Sequence, residues 1–473
     1  MPTNPSEGRV LVTGVTGYIG GLLVPALLER GRAVRVLGRS EEKLRRQPWH
    51  ERVETAIGSA DDAAVLARAL DGVEVAYYLL HSMDGKGDFV ARDRHMAQVF
   101  AAAARDAGVG RIVYLSGLHP RGELSPHLAS RVEVGQIFLA SGVPTAVLQA
   151  GVVLGAGSAS FDMLRHLTER LPVVVAPKWL RNRIQPIAID DVLHYLVAAA
   201  DLPPGVNRTY DVGGPDVLTY ADMMKRYAAV TGLGNRWINT VPVLTPELAS
   251  HWVGLVTPVL SGVARPLVGS LIHDAVCSED DAQRDLGLPP GGLAGYDDAV
   301  RAAVVGIDPQ RWRRTFRRVA AGVGATALAG SLLTDPDSRW YRGLAKPPWQ
   351  PPAVAFPVVW TALYGIVALA ATTTIAELTE KGEEGEAEAF WAAFLVNMAL
   401  NAGWSGVFFR AHHLPAATVV AGLLAGSSAD LARRGAAAGP GKAIGLGLYA
   451  GWCGFATALS GELARRNRQA HQG

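Results

Sequence analysis

The sequence has almost no cysteine: two in 473 residues, Cys277 and Cys453, one in each half. Two thiols so far apart frame neither a disulfide scaffold nor a zinc cluster, so no metal site is expected, and the first half fits a reducing compartment. A surplus of charge is also missing. Forty-five Lys and Arg against 43 Asp and Glu leave a net charge of +2, too little for a general nucleic-acid binder. The start, Met1 to Arg9, lacks the charged, apolar and small-residue order of a signal peptide, so the amino-terminal part is expected to stay in the cytoplasm. Beyond the cluster Arg311-Trp312-Arg313-Arg314-Thr315-Phe316-Arg317-Arg318 charge itself becomes scarce, and long runs of Ala, Gly, Leu and Val take over. An arginine cluster at the edge of an apolar run marks the cytoplasmic end of a membrane segment. A chain this long exceeds one ordinary core, and two chemistries imply at least two domains.

What is present in the first half is alternation. Arg9 to Thr13 reads as a buried strand, followed by Gly14-Val15-Thr16-Gly17-Tyr18-Ile19-Gly20 and an apolar helix to about Arg30. Glycines at 14, 17 and 20 permit a tight turn and a close approach of backbone N–H groups to a pyrophosphate, beside the positive end of the helix. Gly14, Thr16, Gly17, Tyr18, Ile19 and Gly20 are therefore candidate cofactor contacts. The second strand, Ala33 to Leu37, ends in Gly38-Arg39-Ser40. An acid there would bind ribose hydroxyls; a base with a hydroxyl suits a 2′-phosphate, so Arg39 and Ser40 point to NADP(H) rather than NAD(H).

Strands at 53–57, 73–80, 111–116 and 145–150 alternate with helices at 61–70, 88–107 and 127–140, which implies a doubly wound parallel α/β sheet of Rossmann type. Ligands bind beyond the carboxyl ends of such strands, which puts Leu80-His81-Ser82-Met83 and Ser116-Gly117-Leu118-His119 beside the cofactor. Residues from about 150 to 300 are expected to form a smaller lobe. Within it, Asp190-Asp191 reads as a helix start and Thr219 with Asp222 as a capping box. The apolar stretch His251–His273, broken by Pro258, Arg265 and Pro266, reads as two short packed helices.

TGVTGYIGG (13–21), AYYLLHSM (76–83), RIVYLSGL (111–118), HLASRVEVG (127–135), PIAIDDVLHYL (186–196) and GGPDVLTYADMM (213–224) together resemble the atypical, extended short-chain dehydrogenase/reductase group, over about residues 8–305. The resemblance implies a nicotinamide-dependent oxidoreductase. That group uses Tyr-x-x-x-Lys on the helix after the Ser116 strand; this helix reads His127-Leu128-Ala129-Ser130-Arg131-Val132-Glu133-Val134 instead. Ser116 stands where the group places its catalytic hydroxyl. Ser116 and His81 are the catalytic candidates, with His119 and Arg131 as further donors.

Five apolar segments follow, about Phe316–Thr334, Val354–Ile375, Phe390–Phe409, Pro415–Leu431 and Lys442–Leu463. Each is near the ~20 residues that cross a bilayer, and the polar faces of a soluble helical domain are mostly missing. WYRGLAKPPWQPP (340–352), FPVVWTALY (356–364), LVNMALNAGWSGVFF (395–409) and GWCGFATALSGELARRN (451–467) resemble the TspO/MBR family of tryptophan-rich sensory proteins, over about residues 316–468. That resemblance implies an all-α five-helix transmembrane bundle, often dimeric, that binds porphyrins or other lipophilic ligands. Its pocket would involve Trp340 and Trp349 in the loop and Trp360, Asn401, Trp404 and Trp452 in the spans. Flat indoles suit a flat macrocycle, and an in-membrane Asn needs a partner.

The expected plan is a nucleotide-binding domain at 1–305, a basic junction at 306–318 and a membrane domain at 319–468. With the nucleotide domain in the cytoplasm, the loop at 335–353 lies on the opposite face. Two functions fit: an NADP(H)-dependent oxidoreductase acting on a lipophilic ligand such as a porphyrin, or a non-enzymatic NADPH-responsive sensor of such ligands.

Overall fold

Seven short runs of β-branched and aliphatic residues build one parallel sheet. They are β1 (Arg9–Thr13), β2 (Val34–Gly38), β3 (Glu54–Ile57), β4 (Val73–Tyr78), β5 (Arg111–Gly117), β6 (Thr145–Ala150) and β7 (Arg208–Val212). Their order is β7-β6-β5-β4-β1-β2-β3, and every pairing is parallel. The computed structural model describes residues 8–81, 88–119, 124–241 and 267–469. Within it the chain divides into two compact units, Met1–Gly306 and Ile307–Gly473, each taken by itself below.

In the first unit, helices cover both faces of the sheet, so the central strands are mostly apolar, with polar residues chiefly toward their ends. Helices α1 (Tyr18–Glu29) and α6 (Ile189–Ala198) bury Leu23, Leu27, Val192 and Tyr195 against Val10, Val12 and Val36. Helices α2 (Ala63–Leu70), α3 (Phe89–Asp106) and α4 (Pro126–Leu139) bury Leu66, Phe100 and Phe138 on the other face. The chain turns back between β1 and β4, and a crevice opens there at the carboxyl ends. Thr13 holds the crevice shut at its base. Its hydroxyl donates to the Tyr77 carbonyl (3.0 Å) and accepts from the Leu79 N–H (3.1 Å).

The smaller lobe uses α5 (Ala159–Arg170), α7 (Tyr220–Val230) and α8 (Tyr296–Ala303) around Phe161, Leu164, Tyr227 and Val300. It is not a separate block: β7, which the sequence reading did not identify, returns from it to the sheet edge beside β6. Asp190 and Asp191 fall in the first turn of α6, and the Thr219 hydroxyl caps α7 through the Asp222 N–H (3.1 Å). Most of the expected helical stretch 251–273 lies outside the described residues, as do Ser82 and Met83.

Among its described residues the second unit has five long helices: α9 (Arg311–Leu333), α10 (Ala355–Glu380), α11 (Glu384–Ser405), α12 (Leu414–Ala437) and α13 (Pro440–Gln469). Four segments, Ala355–Glu380, Glu384–Arg410, Leu414–Ala437 and Gly441–Arg468, are long and apolar enough to cross a membrane. Helix α9 is the fifth helix of the expected bundle and is less apolar than the other four. Arg311, Arg313, Arg314, Arg317 and Arg318 occupy its start, so its apolar part begins only at Val319. Val319, Val367, Phe390, Phe394 and Leu446 form the interior, while Leu328, Leu369, Val396, Val419, Leu423 and Leu448 face outward, as a lipid-exposed bundle requires. A π-helical segment, Gly406–Arg410, extends α11.

Replacing Thr13 by Val keeps the side-chain volume and removes both bonds of the clasp. The expected cost is about 1–3 kcal/mol, read as an earlier denaturation of the first unit in the full-length protein.

Candidate functional site

The crevice between β1 and β4 widens into a cleft of about 390 Å³. One wall is the turn from β1 into α1. Gly14 has φ +69°, and a Cβ there would stand 2.5 Å from the Leu79 carbonyl oxygen. A Cβ on Gly20 would stand 2.5 Å from the Gly14 carbonyl oxygen, so only glycine lets helix and turn approach this closely. Thr16 and Gly17 are exposed at the tip of the turn, and Gly14, Gly17, Tyr18, Ile19 and Gly20 line the cleft. Burial, with Asp162 and Asp190 nearby, raises the Tyr18 phenol to about 12, so it stays protonated.

The end of β4 is read one residue differently from the sequence expectation. Leu79 lines the cleft, while Leu80 packs into the opposite core with Leu66 and Phe100. Alternation along an extended chain explains the exchange. At the end of β2, Ser40 caps the short helix Glu41–Arg45 by accepting from the Lys43 N–H at 3.4 Å. Arg39 is exposed there, while its neighbours Arg45 and Arg46 pair with Glu41 and Glu42.

The other wall is β5 and α4. The Ser116 hydroxyl is buried in it with no hydrogen-bond partner. His81, His127 and Arg131 line the same cleft. The two imidazoles meet edge to face at 6.4 Å, and the Arg131 Nε–H donates to His127 Nε2 at 3.2 Å. His81 lines the cleft, where loss of water around the ring, then Arg131 and His127, pulls its pKa well below the ordinary value. Burial, followed by Arg131, lowers His127 from 6.5 to about 3. Both rings are therefore neutral at ordinary pH, and among the described lining residues the fixed charge is Arg131 alone. None of those lining residues is Asp, Glu or Lys. His119, by contrast, is drawn out of the cleft to Gln149 (2.6 Å), and Glu133 pairs with Arg94. A buried Tyr220 hydroxyl without a partner also lines the cleft.

In the helical unit the aromatic candidates gather into two groups. Trp404 stacks on Phe408 (5.1 Å), and Trp340 contacts Phe408 (5.5 Å) while stacking on His412 (4.1 Å). Trp452 packs on Phe455 (5.1 Å), which also meets Trp349 (5.9 Å), and Trp360 approaches Tyr449 (6.3 Å). The indole N–H groups of Trp404 and Trp452 are buried without partners. Asn401 is fully engaged inside the bundle. It accepts from the Tyr364 hydroxyl (2.9 Å) and donates to Tyr449 (3.1 Å), and Tyr449 in turn donates to Asn397 (2.9 Å). Asn397 completes the chain by donating to Ser428 (2.9 Å). The loop before α10 is tied to the end of α13: the Ala345 N–H donates to Asn467 Oδ1 (2.9 Å), and Asn467 Nδ2 donates to the Ala345 carbonyl (3.3 Å).

Residues 14–140 match the family model described as NAD(P)H-binding, and residues 319–466 match that of the TspO/MBR family. A tryptophan-rich sensory protein of Cereibacter sphaeroides is 41% identical over 105 residues, 22% of this chain and 61% of that protein. A ceramide reductase of Caulobacter vibrioides is 28% identical over 273 residues, 55% of this chain and 83% of that protein. Several curated relatives are matched over only part of their own length, from 31% to 61%. Among solved structures, a triphenylmethane reductase of Citrobacter sp. superimposes with a TM-score of 0.51 at 19% identity, covering 63% of this chain and 99% of that one, a likeness of fold.

A histidine held neutral in the fold but protonated in the unfolded chain makes the unfolded state bind more protons. Stability contributed by a neutral His127 is present above pH 6.5 and is lost as the pH falls toward 3. Substituting His127 by Gln should flatten that part of the stability profile, measured as unfolding midpoints of wild type and variant at stepped pH.

Proposed function

Because the chain joins an NAD(P)H-binding domain of the short-chain dehydrogenase/reductase type to a TspO/MBR membrane domain, we propose that it is a membrane-anchored, NADP(H)-dependent reductase of lipophilic carbonyl compounds. The observation that carries this reading is the cleft. It joins a glycine turn built for a pyrophosphate to a substrate wall of Leu79, Leu118, Leu128, Val152 and Met163, with a buried serine hydroxyl in need of a partner. An aliphatic wall whose described residues carry no carboxylate or lysine favours an uncharged, apolar substrate over a charged metabolite.

In this reading Gly14, Gly17 and Gly20 make room for the cofactor's pyrophosphate, and the backbone N–H groups of Thr16, Tyr18 and Ile19 face it at the start of α1, while the Gly17 N–H closes the turn on the Gly14 carbonyl at 2.9 Å. Arg39 takes the 2′-phosphate; its exposed position at the end of β2, where no acid stands, supports NADP(H) over NAD(H). Bound there, the reduced nicotinamide supplies a hydride. Ser116 holds the oxygen that receives negative charge, and His81 borders the same space.

The membrane domain holds the lipophilic ligand. Trp340, Trp349, Trp360, Trp404 and Trp452 offer flat faces, and a tetrapyrrole is the ligand whose shape fits them. Asn401 keeps the helices around them in register. The arginines that open α9 favour a cytoplasmic nucleotide domain, where NADPH is available.

The test is a titration of the full-length protein in detergent with protoporphyrin, and separately with long-chain ketones, with and without saturating NADPH. Tryptophan quenching and NADPH absorbance are followed together. Ligand-dependent loss of absorbance is expected. Stable absorbance with NADPH-shifted porphyrin affinity would make the protein a sensor, and neither change would refute both readings. The variant Arg39→Asp should weaken NADPH binding at least about 10-fold while leaving NADH binding within a few-fold, read by nucleotide fluorescence.

A further inference from the structure

Reduction of a carbonyl leaves negative charge on its oxygen, and the cleft must meet that charge with hydrogen-bond donors. The described lining residues with an O–H or N–H side-chain donor are Tyr18, Ser116, Tyr220, His81, His127 and Arg131, apart from the serines of the lobe. Tyr18 belongs to the glycine turn and lies against Gly155 and Gly157, on the wall opposite β5. Tyr220 belongs to the smaller lobe, with its phenol in an apolar core. Ser116, His127 and Arg131 are different, because neighbouring elements bring them together. His127 and Arg131 stand one turn apart on α4, so both side chains fall on one face. A Cβ on Gly117 would lie 4.0 Å from Arg131 Cδ, which puts the arginine stem directly beside the residue after Ser116.

The bond between the two side chains has a definite sense. Arginine has five donors and no acceptor, so at 3.2 Å from Arg131 Nε the atom His127 Nε2 must present its lone pair. The ring proton is then on Nδ1. Fixing one nitrogen of an imidazole as an acceptor makes the other a donor of fixed identity. The guanidinium also places a permanent positive charge next to that donor.

We infer that His127 and Arg131 form an oxygen-binding pair in this cleft: His127 Nδ1–H, with Ser116 Oγ–H, holds the substrate's carbonyl oxygen, and Arg131 fixes the imidazole tautomer. This rests on the reductase reading above. When the carbonyl carbon accepts a hydride and its electron pair from the reduced nicotinamide, a C–H bond forms and the C=O π pair moves onto oxygen. The resulting alkoxide is held by the two donors under the Arg131 charge and takes its proton from water, which leaves as hydroxide. The substrate is reduced and the nicotinamide oxidised. His127 remains neutral throughout, which its lowered pKa favours. In this scheme His127 is the catalytic residue and Arg131 the positioning residue.

The test uses the full-length protein in detergent, with NADPH and the long-chain ketone found active in the titration. His127→Phe keeps a flat ring and removes the donor; kcat should fall at least about 100-fold with NADPH affinity unchanged. Arg131→Met should lower kcat about 10-fold or more, and Arg131→Lys, which restores a donor and a charge, should recover part of the loss. Thermal midpoints of each variant within a few degrees of wild type separate these effects from misfolding. Independently of activity, 15N-histidine NMR should find His127 as the Nδ1–H tautomer in wild type and a tautomer mixture in Arg131→Met. Normal turnover in His127→Phe, or an Nε2–H tautomer in wild type, would overturn the pair and leave the reductase reading standing. No turnover of any lipophilic carbonyl by wild type would overturn the reading itself, and the role of the pair with it.

Discussion

Two backbone collisions govern the nucleotide-binding unit. Any side chain at Gly14 would run into the Leu79 carbonyl, and any at Gly20 into the carbonyl of Gly14. With neither present, β1 can stop short, reverse, and start α1 within a few residues, while β4 ends close alongside. The crevice is a by-product of that closeness. The Thr13 hydroxyl then bridges the two strands at the point where the sheet would otherwise part, so the base of the crevice is tied by one side chain bonded to the backbone of β4 and the residue just beyond it. What lies above the floor is free to vary, and here it has become aliphatic, with neutral imidazoles and one arginine.

The helical unit solves a different problem with the same economy of position. Lipid gives helices little reason to prefer one register over another, because every apolar face is equally satisfied. A buried amide is not so indifferent. Tyr364 on α10, Asn397 and Asn401 on α11, Ser428 on α12 and Tyr449 on α13 close one chain of hydrogen bonds, and shifting any of these helices by a turn would leave several of its members unpaired. The tryptophans on either side of that chain are held in place by it, although none of them belongs to it.

Much of the first unit could be read from the residues. The strand Thr145–Ala150 and the glycine turn were legible because a buried parallel strand reads as a short, mainly apolar run, and because glycine spacing has few other uses. The edge strand β7 was not. It alternates polar and apolar residues, pairs with only one neighbour, and joins the sheet some sixty residues after β6, so no local pattern announces it. The exchange of Leu79 for Leu80 reflects a period of two, in which an error of one residue inverts the face. The partnership of His127 and Arg131 was present in the sequence as an i, i+4 spacing, but spacing says only that two side chains can meet. That they meet at the cleft, next to an unpartnered serine, depends on where α4 lies against β5. In the second unit the apolar runs were plain, whereas the first of them lost its leading turns to arginine, and the hydrogen-bonded chain through Asn397 and Tyr449 left no trace in hydropathy.

Asn467 sits in the last turns of α13 and grips both the N–H and the carbonyl of Ala345 in the loop before α10. The two contacts make that loop a latch whose catch is carried by the far end of the chain, more than a hundred residues away. Lifting the loop therefore requires the terminal turns to fray or Asn467 to let go. A pull on those terminal turns is carried straight to the loop through the two bonds at Ala345.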